Sequence, residues 1–435
     1  MMNALRVLSI LLSLFTAWAC GRSSSSDDSK ASPTVDGSKV LPAASSDPSD
    51  PAVSASKTGA PSSSGGTISG SKPHMCLSDC NPPQDIIVSF AVPVSIAPAA
   101  CTVGDALAYA SGGGIMVITL ATCSNGTQVY SQIVDTTGKA IGSLNLVSGL
   151  CNLARDSVTR FTAAAGANSF AVSYTCSHST GSYQVGLSFL GANGKVNSTQ
   201  LLLTNYTYVG SVPSSHLAWN SAGNAYGMTL GSAFKRFSEQ GAQLGGDISV
   251  PMSGTPAVLL SASGGVWNIL SGAPAFLSTY PGSNYCSKIS SAGTLECSNL
   301  ALGYYLAGAS LDPTGSYMTK MSSGGSIGLG LFDANSCTVT TKMTQDSLSD
   351  ATVQANFGAF PYGPRYLANL YQSGLSAIDV AFVDATSGKV LSTSGVVNGT
   401  TVGHASGLVV GQKFYVVVAK DNDLVLVAAN QSVPQ

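Results

Sequence analysis

Charge is what this sequence has least of. Asp, Glu, Lys and Arg make up 9% of its 435 residues, against about a quarter in an average globular chain. The formal net charge is −2, so no strong field attracts nucleic acid or an anionic membrane surface, and no nucleic-acid partner is expected. Catalytic signatures are equally scarce. The stretch "SGGGIMV" lacks the Lys-Ser/Thr of a phosphate-binding loop, and "GHASG" (Gly403 to Gly407) has no serine at its centre. No His-Glu-x-x-His occurs, and no cofactor or metal site is expected. A Cys-x-x-x-Cys pair with His74 beside it lacks the second pair of ligands that zinc needs.

What is present is small and apolar. Hydrophobic residues reach 44% and Gly numbers 48, which suits many short strands joined by small-residue turns rather than a solvated coil. The first twenty residues, "MMNALRVLSILLSLFTAWAC", combine Arg6 with an apolar run from Val7 to Phe15. That run is too short to span a bilayer and reads as a signal peptide over 1–19. Ala17 and Ala19 satisfy ordinary signal cleavage, and simple secretion is the alternative reading. The "AWAC" ending resembles the lipobox of bacterial lipoproteins, which implies lipidation at Cys20 and a membrane-anchored protein of the cell envelope, most naturally the outer membrane. It departs from that pattern with Ala17 where Leu is commonest and Trp18 next to it. From Cys20 to about residue 75 the chain is Ser-rich with no apolar periodicity, and is expected to be a disordered tether. Its root-mean-square reach would be roughly 40 Å. It is either a leash or a plain spacer.

Residues 76–435 repeat one phrase. "QIVDTTGKAIGSLNLV" is followed by "LSFLGANGKVNSTQLLL", "FKRFSEQGAQLGGDISV", "CSKISSAGTLECSNLAL", "GLFDANSCTVTTKM" and "AFVDATSGKVLSTSGVV". Each is an alternating strand, a turn of Gly, Asn, Asp or Ser, and a second strand, the signature of a hairpin. A second hairpin, with a small-residue first strand, precedes most of them. Four antiparallel strands in about 40 to 55 residues mark a β-propeller blade. Six units fit between about Gly104 and Val397. A seventh, from Ala405 to Ala429, has three strands, and "DIIVSFAVPVSI" (Asp85 to Ile96) is available as its fourth. The expectation is an all-β propeller of seven blades, six or eight being the neighbouring counts, closed by the N-terminal strand. The repeats resemble bacterial secreted β-propellers whose hairpins end in an Asp-x-x-Gly turn. A pair of β-sandwiches or a β-solenoid is the competing architecture.

Ten cysteines suit an oxidising compartment. Cys101 with Cys123 and Cys151 with Cys176 take the same positions in consecutive repeats, and so are expected as the same disulfide staple twice. Cys286 and Cys297 flank one turn symmetrically and are expected to pair. Cys76 and Cys80 would close a small loop, leaving Cys337 over.

Two groups of residues carry the functional expectation. Asp105, His216 and His404 each precede the glycine of their first turn by seven residues, and Arg160 falls near the same level. On inner strands they would ring one mouth of the axial channel, either as a metal or acid/base site or as a hydrogen-bonded channel lining. Tyr206, Tyr208, Phe276, Tyr280, Tyr304 and Tyr305 fall in loops of the same face. They either recognise a glycan or protein partner or cap the core between blades. "FGAFPYGPRYL" with Arg365, on the other face, is a second candidate surface. These features point to a binding or scaffold module more than to an enzyme. A propeller glycan hydrolase or lyase would need several carboxylates at the pore; a surface adhesin would need no pocket.

Overall fold

In a computed structural model of the chain, the residues described are 88–94, 98, 100–151, 156–206, 215–251, 257–272, 284–301, 310–311, 317–321, 327–341, 353–373, 376–385, 390–399 and 402–433. The expected signal peptide, the tether, Cys20, Cys76 and Cys80 lie outside them.

The first strand is β1 (Val88–Val94). Sheet 1 holds β2 (Thr102–Ser111), β3 (Gly114–Cys123), β4 (Gly126–Val134) and β5 (Ala140–Leu146). Sheet 2 holds β6 (Asp156–Ala165), β7 (Ser169–His178), β8 (Tyr183–Gly191) and β9 (Val196–Tyr206). Sheet 3 holds β10 (Ser215–Asn220), β11 (Ala225–Leu230), β12 (Ala233–Phe237) and β13 (Ile248–Ser249). Sheet 4 holds β14 (Ala257–Ser263), β15 (Val266–Gly272), β16 (Asn284–Ser290) and β17 (Leu295–Ala301). Sheet 5 holds β18 (Ser310–Leu311), β19 (Tyr317–Met321), β20 (Ile327–Asp333) and β21 (Thr338–Thr341). Sheet 6 holds β22 (Val353–Tyr362), β23 (Tyr366–Ser373), β24 (Ala377–Asp384) and β25 (Val390–Asn398). Sheet 7 holds β26 (Val402–Val410), β27 (Lys413–Lys420) and β28 (Asp423–Ser432).

Sheets 1 to 6 are antiparallel meanders in chain order, while sheet 7 has the order β1-β28-β27-β26. Its outer edge is therefore supplied by the N-terminal strand, in register from Val88 opposite Ala429 to Val94 opposite Leu424. The first strand of each sheet touches the first strand of a neighbouring sheet or packs against that sheet, through β2, β6, β10, β14, β18, β22, β26 and back to β2. Four-stranded antiparallel sheets in a closed ring, innermost strands toward a common axis, are a β-propeller. Closure removes the exposed edge that a three-stranded last sheet would leave open.

The core lies between sheets. Large side chains such as Trp267, Tyr174, Tyr226, Phe189 and Phe234 are fully buried there. Near the axis space runs out. A Cβ on Gly403 would stand 2.6 Å from the Gly104 carbonyl oxygen, so the inner strands of sheets 7 and 1 meet there only because residue 403 is glycine.

The repeated hairpin phrase proves to be a latch. In several sheets the turn between the third and fourth strands reaches back onto the preceding sheet and presents backbone carbonyls to it. Ser131 Oγ of sheet 1 donates to Gly194 O of sheet 2 at 2.9 Å, and Ser111 Oγ donates to Ala192 O at 3.1 Å. Ser198 Oγ of sheet 2 donates to Gln240 O of sheet 3 at 3.2 Å, and Gln200 Nε2 donates to Gly241 O. Arg236 Nη1 of sheet 3 donates to Ser291 O of sheet 4 at 3.1 Å. In sheet 4, Asn268 Nδ2 donates to Ala334 O at 2.9 Å and Lys288 Nζ to Asn335 O at 3.1 Å, both in the turn of sheet 5. The turn aspartates serve the turns themselves. Asp135 Oδ1 accepts from Thr137 Oγ1 at 2.6 Å, Lys139 N at 3.0 Å and Thr137 N at 2.8 Å, and these bonds, the hydroxyl's first, hold its carboxyl below the usual range.

Disulfides join Cys101 to Cys123 and Cys151 to Cys176, each tying the chain entering a sheet's first strand to its second strand. The third corrects the expectation. Cys286 bonds to Cys337, not to Cys297. Register irregularities in the β16–β17 pair set Cys286 opposite Leu300 and Cys297 opposite Lys288, so symmetric spacing about the turn does not survive. Cys337, in the latch turn of sheet 5 with φ at 52°, is carried onto sheet 4 instead. The described disulfides fit an oxidising, non-cytoplasmic compartment.

Candidate functional site at the channel mouth

The axis encloses a cavity of about 620 Å³. Its wall is built from inner strands, and their bias to small residues is what leaves the space: Ala108, Ala163, Ala164 and Ala218 line it. Tyr109, Trp219 and Phe357 supply aromatic surface, and His216 and His404 stand on the same wall. Tyr109 is fixed by donating its hydroxyl to Ala163 O at 2.7 Å across the sheet 1–2 boundary.

The first residues of the inner strands form the mouth. The pairing of β2 with β3 skips a residue between Val103 and Asp105, and that of β6 with β7 skips one between Val158 and Arg160. Asp105 and Arg160 are thus equivalent: each is the first paired residue after a bulge, a device that re-aims side chains. His404 sits inside a similar irregularity between Val402 and Ala405 of β26.

The four polar residues expected at the mouth therefore occupy four consecutive sheets, in the order His404, Asp105, Arg160, His216. They act on each other in two pairs. Burial pushes the Asp105 carboxyl up, while the His404 ring and the Ala106 N–H, which donates to Asp105 Oδ1 at 2.8 Å, pull it back. Burial pushes the His404 imidazole down and Asp105 opposes this. His404 also meets Phe357 edge-on, with ring centroids 5.1 Å apart. In the other pair, burial and, to a lesser degree, the positive charge of Arg160 together lower His216 to about 4. A ring of protein around a narrow channel makes charge costly even where water enters. At neutral pH His216 is an uncharged imidazole offering one N–H and one lone pair.

Beside the mouth is a pair that sequence reasoning missed. His178 Nδ1 lies 2.5 Å from Asp156 Oδ1, at the ends of β7 and β6, with Asp156 buried. The two are directly opposite in register, two residues beyond Cys176, so the staple spacing held the signal. Among the described residues no cluster of His, Cys, Asp and Glu is arranged to hold a metal ion.

Of the six loop aromatics, only Tyr206 is described. It ends β9 opposite Tyr183. Tyr208, Phe276, Tyr280, Tyr304 and Tyr305 fall outside the described residues. The second candidate surface is corrected: Phe360, Tyr362 and Tyr366 are buried in the packing of sheets 6 and 7, and Arg365 is bound to Asp384 through Nη2 at 2.7 Å and Nε at 2.8 Å. An apolar turn at the foot of an inner strand is core between sheets, not an exposed patch.

No protein-family model matches the chain, and no curated protein matches it. Solved structures that it is similar to include the β-propeller domain of Myceliophteria thermophila Cps50 (Swd1), at 7% identity and a TM-score of 0.42, covering 76% of this chain and 100% of that one. Another is U3-55K, at 9% identity and a TM-score of 0.44, covering 77% of this chain and 99% of that one. The fold itself rests on the closed ring of four-stranded sheets.

Proposed function

We infer that this is a lipid-anchored protein of the bacterial envelope whose propeller is a binding module for a protein or glycan partner, engaged on the face that carries the channel mouth. The observation that carries the binding part is the mouth itself: a rigid, disulfide-stapled rim, an open cavity behind it, and neutral and charged polar groups gathered on one arc. The described lining of the cavity contains no carboxylate. It therefore offers recognition groups rather than the facing carboxylates that glycosidic hydrolysis uses. The "AWAC" ending at Cys20 supports the anchor, and the disulfides support the compartment.

Metabolic labelling with palmitate tests the anchor. Label is expected on the wild-type chain in the membrane fraction, and Cys20→Ala is expected to lose the label and move to the soluble fraction. Unlabelled wild-type protein overturns the anchor. Binding of defined envelope oligosaccharides and purified envelope proteins to the oxidised protein tests the module.

A further inference from the structure

The polar arc is electrically lopsided, and this suggests what the channel holds. On one side Asp105 and His404 act on each other. On the other side Arg160 acts on His216, a residue of the cavity wall. Arg160 is two residues before Thr162 on β6, and Thr162 also lines the cavity. Arg160 is exposed, and among the described residues no carboxylate is paired with it. A guanidinium with no carboxylate paired to it among the described residues thus lies two residues from the cavity wall, with Asp105 at the equivalent position of the neighbouring sheet. Low-dielectric walls concentrate the field of a charge so placed.

Behind the charge the wall is mostly apolar, with Thr162, His216, His404 and Ser406 as its polar members. Ala163, Ala164 and Ala218 leave room, and Tyr109, Trp219 and Phe357 offer ring faces and edges. A volume of about 620 Å³ is in the range of small-molecule sites, roughly 300–1,000 Å³. A guanidinium fork matches a carboxylate in shape, and a single positive charge balances a monoanion better than a phosphate dianion.

We propose that the channel binds a small amphipathic carboxylic acid, its carboxylate held at the mouth by Arg160 with an imidazole N–H of His216, and its apolar body lying along the alanine and aromatic wall. This rests on the binding-module reading and names a ligand class for it. The cavity and the unpaired cation occur on the same strand, β6, whose bulge sets Arg160 at the mouth and whose alanines open the space below.

The test is isothermal titration of the full, oxidised chain with 4-phenylbutyrate, its neutral amide and glucuronate. 4-Phenylbutyrate is expected to bind, and the amide about tenfold more weakly, as befits one lost hydrogen bond to a charged group. Glucuronate, with the same carboxylate on a polar body, is expected to bind more weakly than 4-phenylbutyrate. Arg160→Gln should erase the difference between acid and amide, and Arg160→Lys should restore part of it. The melting temperature should not move, because Arg160 is exposed. Equal binding of acid and amide, an undiminished difference in Arg160→Gln, or no binding of 4-phenylbutyrate overturns the proposal. Tighter binding of glucuronate overturns the apolar body and leaves the carboxylate site. If an oligosaccharide or envelope protein binds while 4-phenylbutyrate does not, only this inference falls. If nothing binds, the binding-module reading falls with it.

Discussion

The boundary between sheets 1 and 2 and the boundary between sheets 4 and 5 use one device in two strengths. At the first, a turn from the next sheet is held by hydroxyls, Ser131 to Gly194 and Ser111 to Ala192. At the second, the same kind of turn is held by Asn268 and Lys288 and is also bonded covalently, Cys286 to Cys337. The geometry common to both is a turn whose carbonyls face the neighbouring sheet. The disulfide is laid over that geometry and does not create it. These turns add cohesion between sheets to what the inner strands supply, where Tyr109 donates to Ala163 O and Ala108 N donates to Ser406 Oγ across sheet boundaries.

Three substitutions probe this comparison. The largest effect is expected from Cys286→Ser with Cys337→Ser, which removes a disulfide spanning 51 residues of sequence. A loss of about 2–4 kcal/mol is expected in denaturant titration. A loss no greater than that of a hydroxyl deletion would mean the non-covalent latch already does the whole job. Gly241→Ala comes next. Gly241 has φ at +92°, and its Cβ would meet the Phe189 ring at 2.6 Å and Ser198 Oγ at 2.8 Å. Strain and overpacking together should cost roughly 1–3 kcal/mol, and an unchanged midpoint would show that the latch turn is soft. Ser131→Ala is the mildest. It deletes a buried hydrogen bond of 2.9 Å to Gly194 O, and about 1 kcal/mol is expected by the same titration. A much larger drop would show that the hydroxyl latches act cooperatively around the ring.

The parts of the molecule that depend on local pattern were legible in the sequence. Alternating strands and glycine turns identify each hairpin, and the three-stranded remnant at the end of the chain calls for a fourth strand, which β1 supplies. The count of seven from turn glycine to mouth selects Asp105 on β2 and His404 on β26, neighbouring inner strands whose two side chains act on each other. Arg160 has no such count and is brought level by its bulge, which leaves no recognisable trace in the residues around it. The pairing of Cys286 with Cys337 was illegible for a deeper reason. It joins two sheets, and strand periodicity describes what a sheet does within itself. The "FGAFPYGPRYL" turn shows the same gap from the other side. Its aromatics are apolar in any reading, but only the packing of sheets 6 and 7 shows that they are covered.

The closing strand also gives the ring a front and a back for handling. Val94 pairs with Leu424 near the Asp421–Asn422 turn, whose Asn422 carbonyl accepts from Val103 N at the mouth, whereas Val88 pairs with Ala429 at the far end. The chain therefore enters β1 on the side away from the mouth. It also leaves β28 there, where Val433 N donates to Gln412 O in the turn at the foot of β26. A bead, a sensor chip or a fused partner attached through either end of the folded ring would hold it by its back and leave the mouth open to solution.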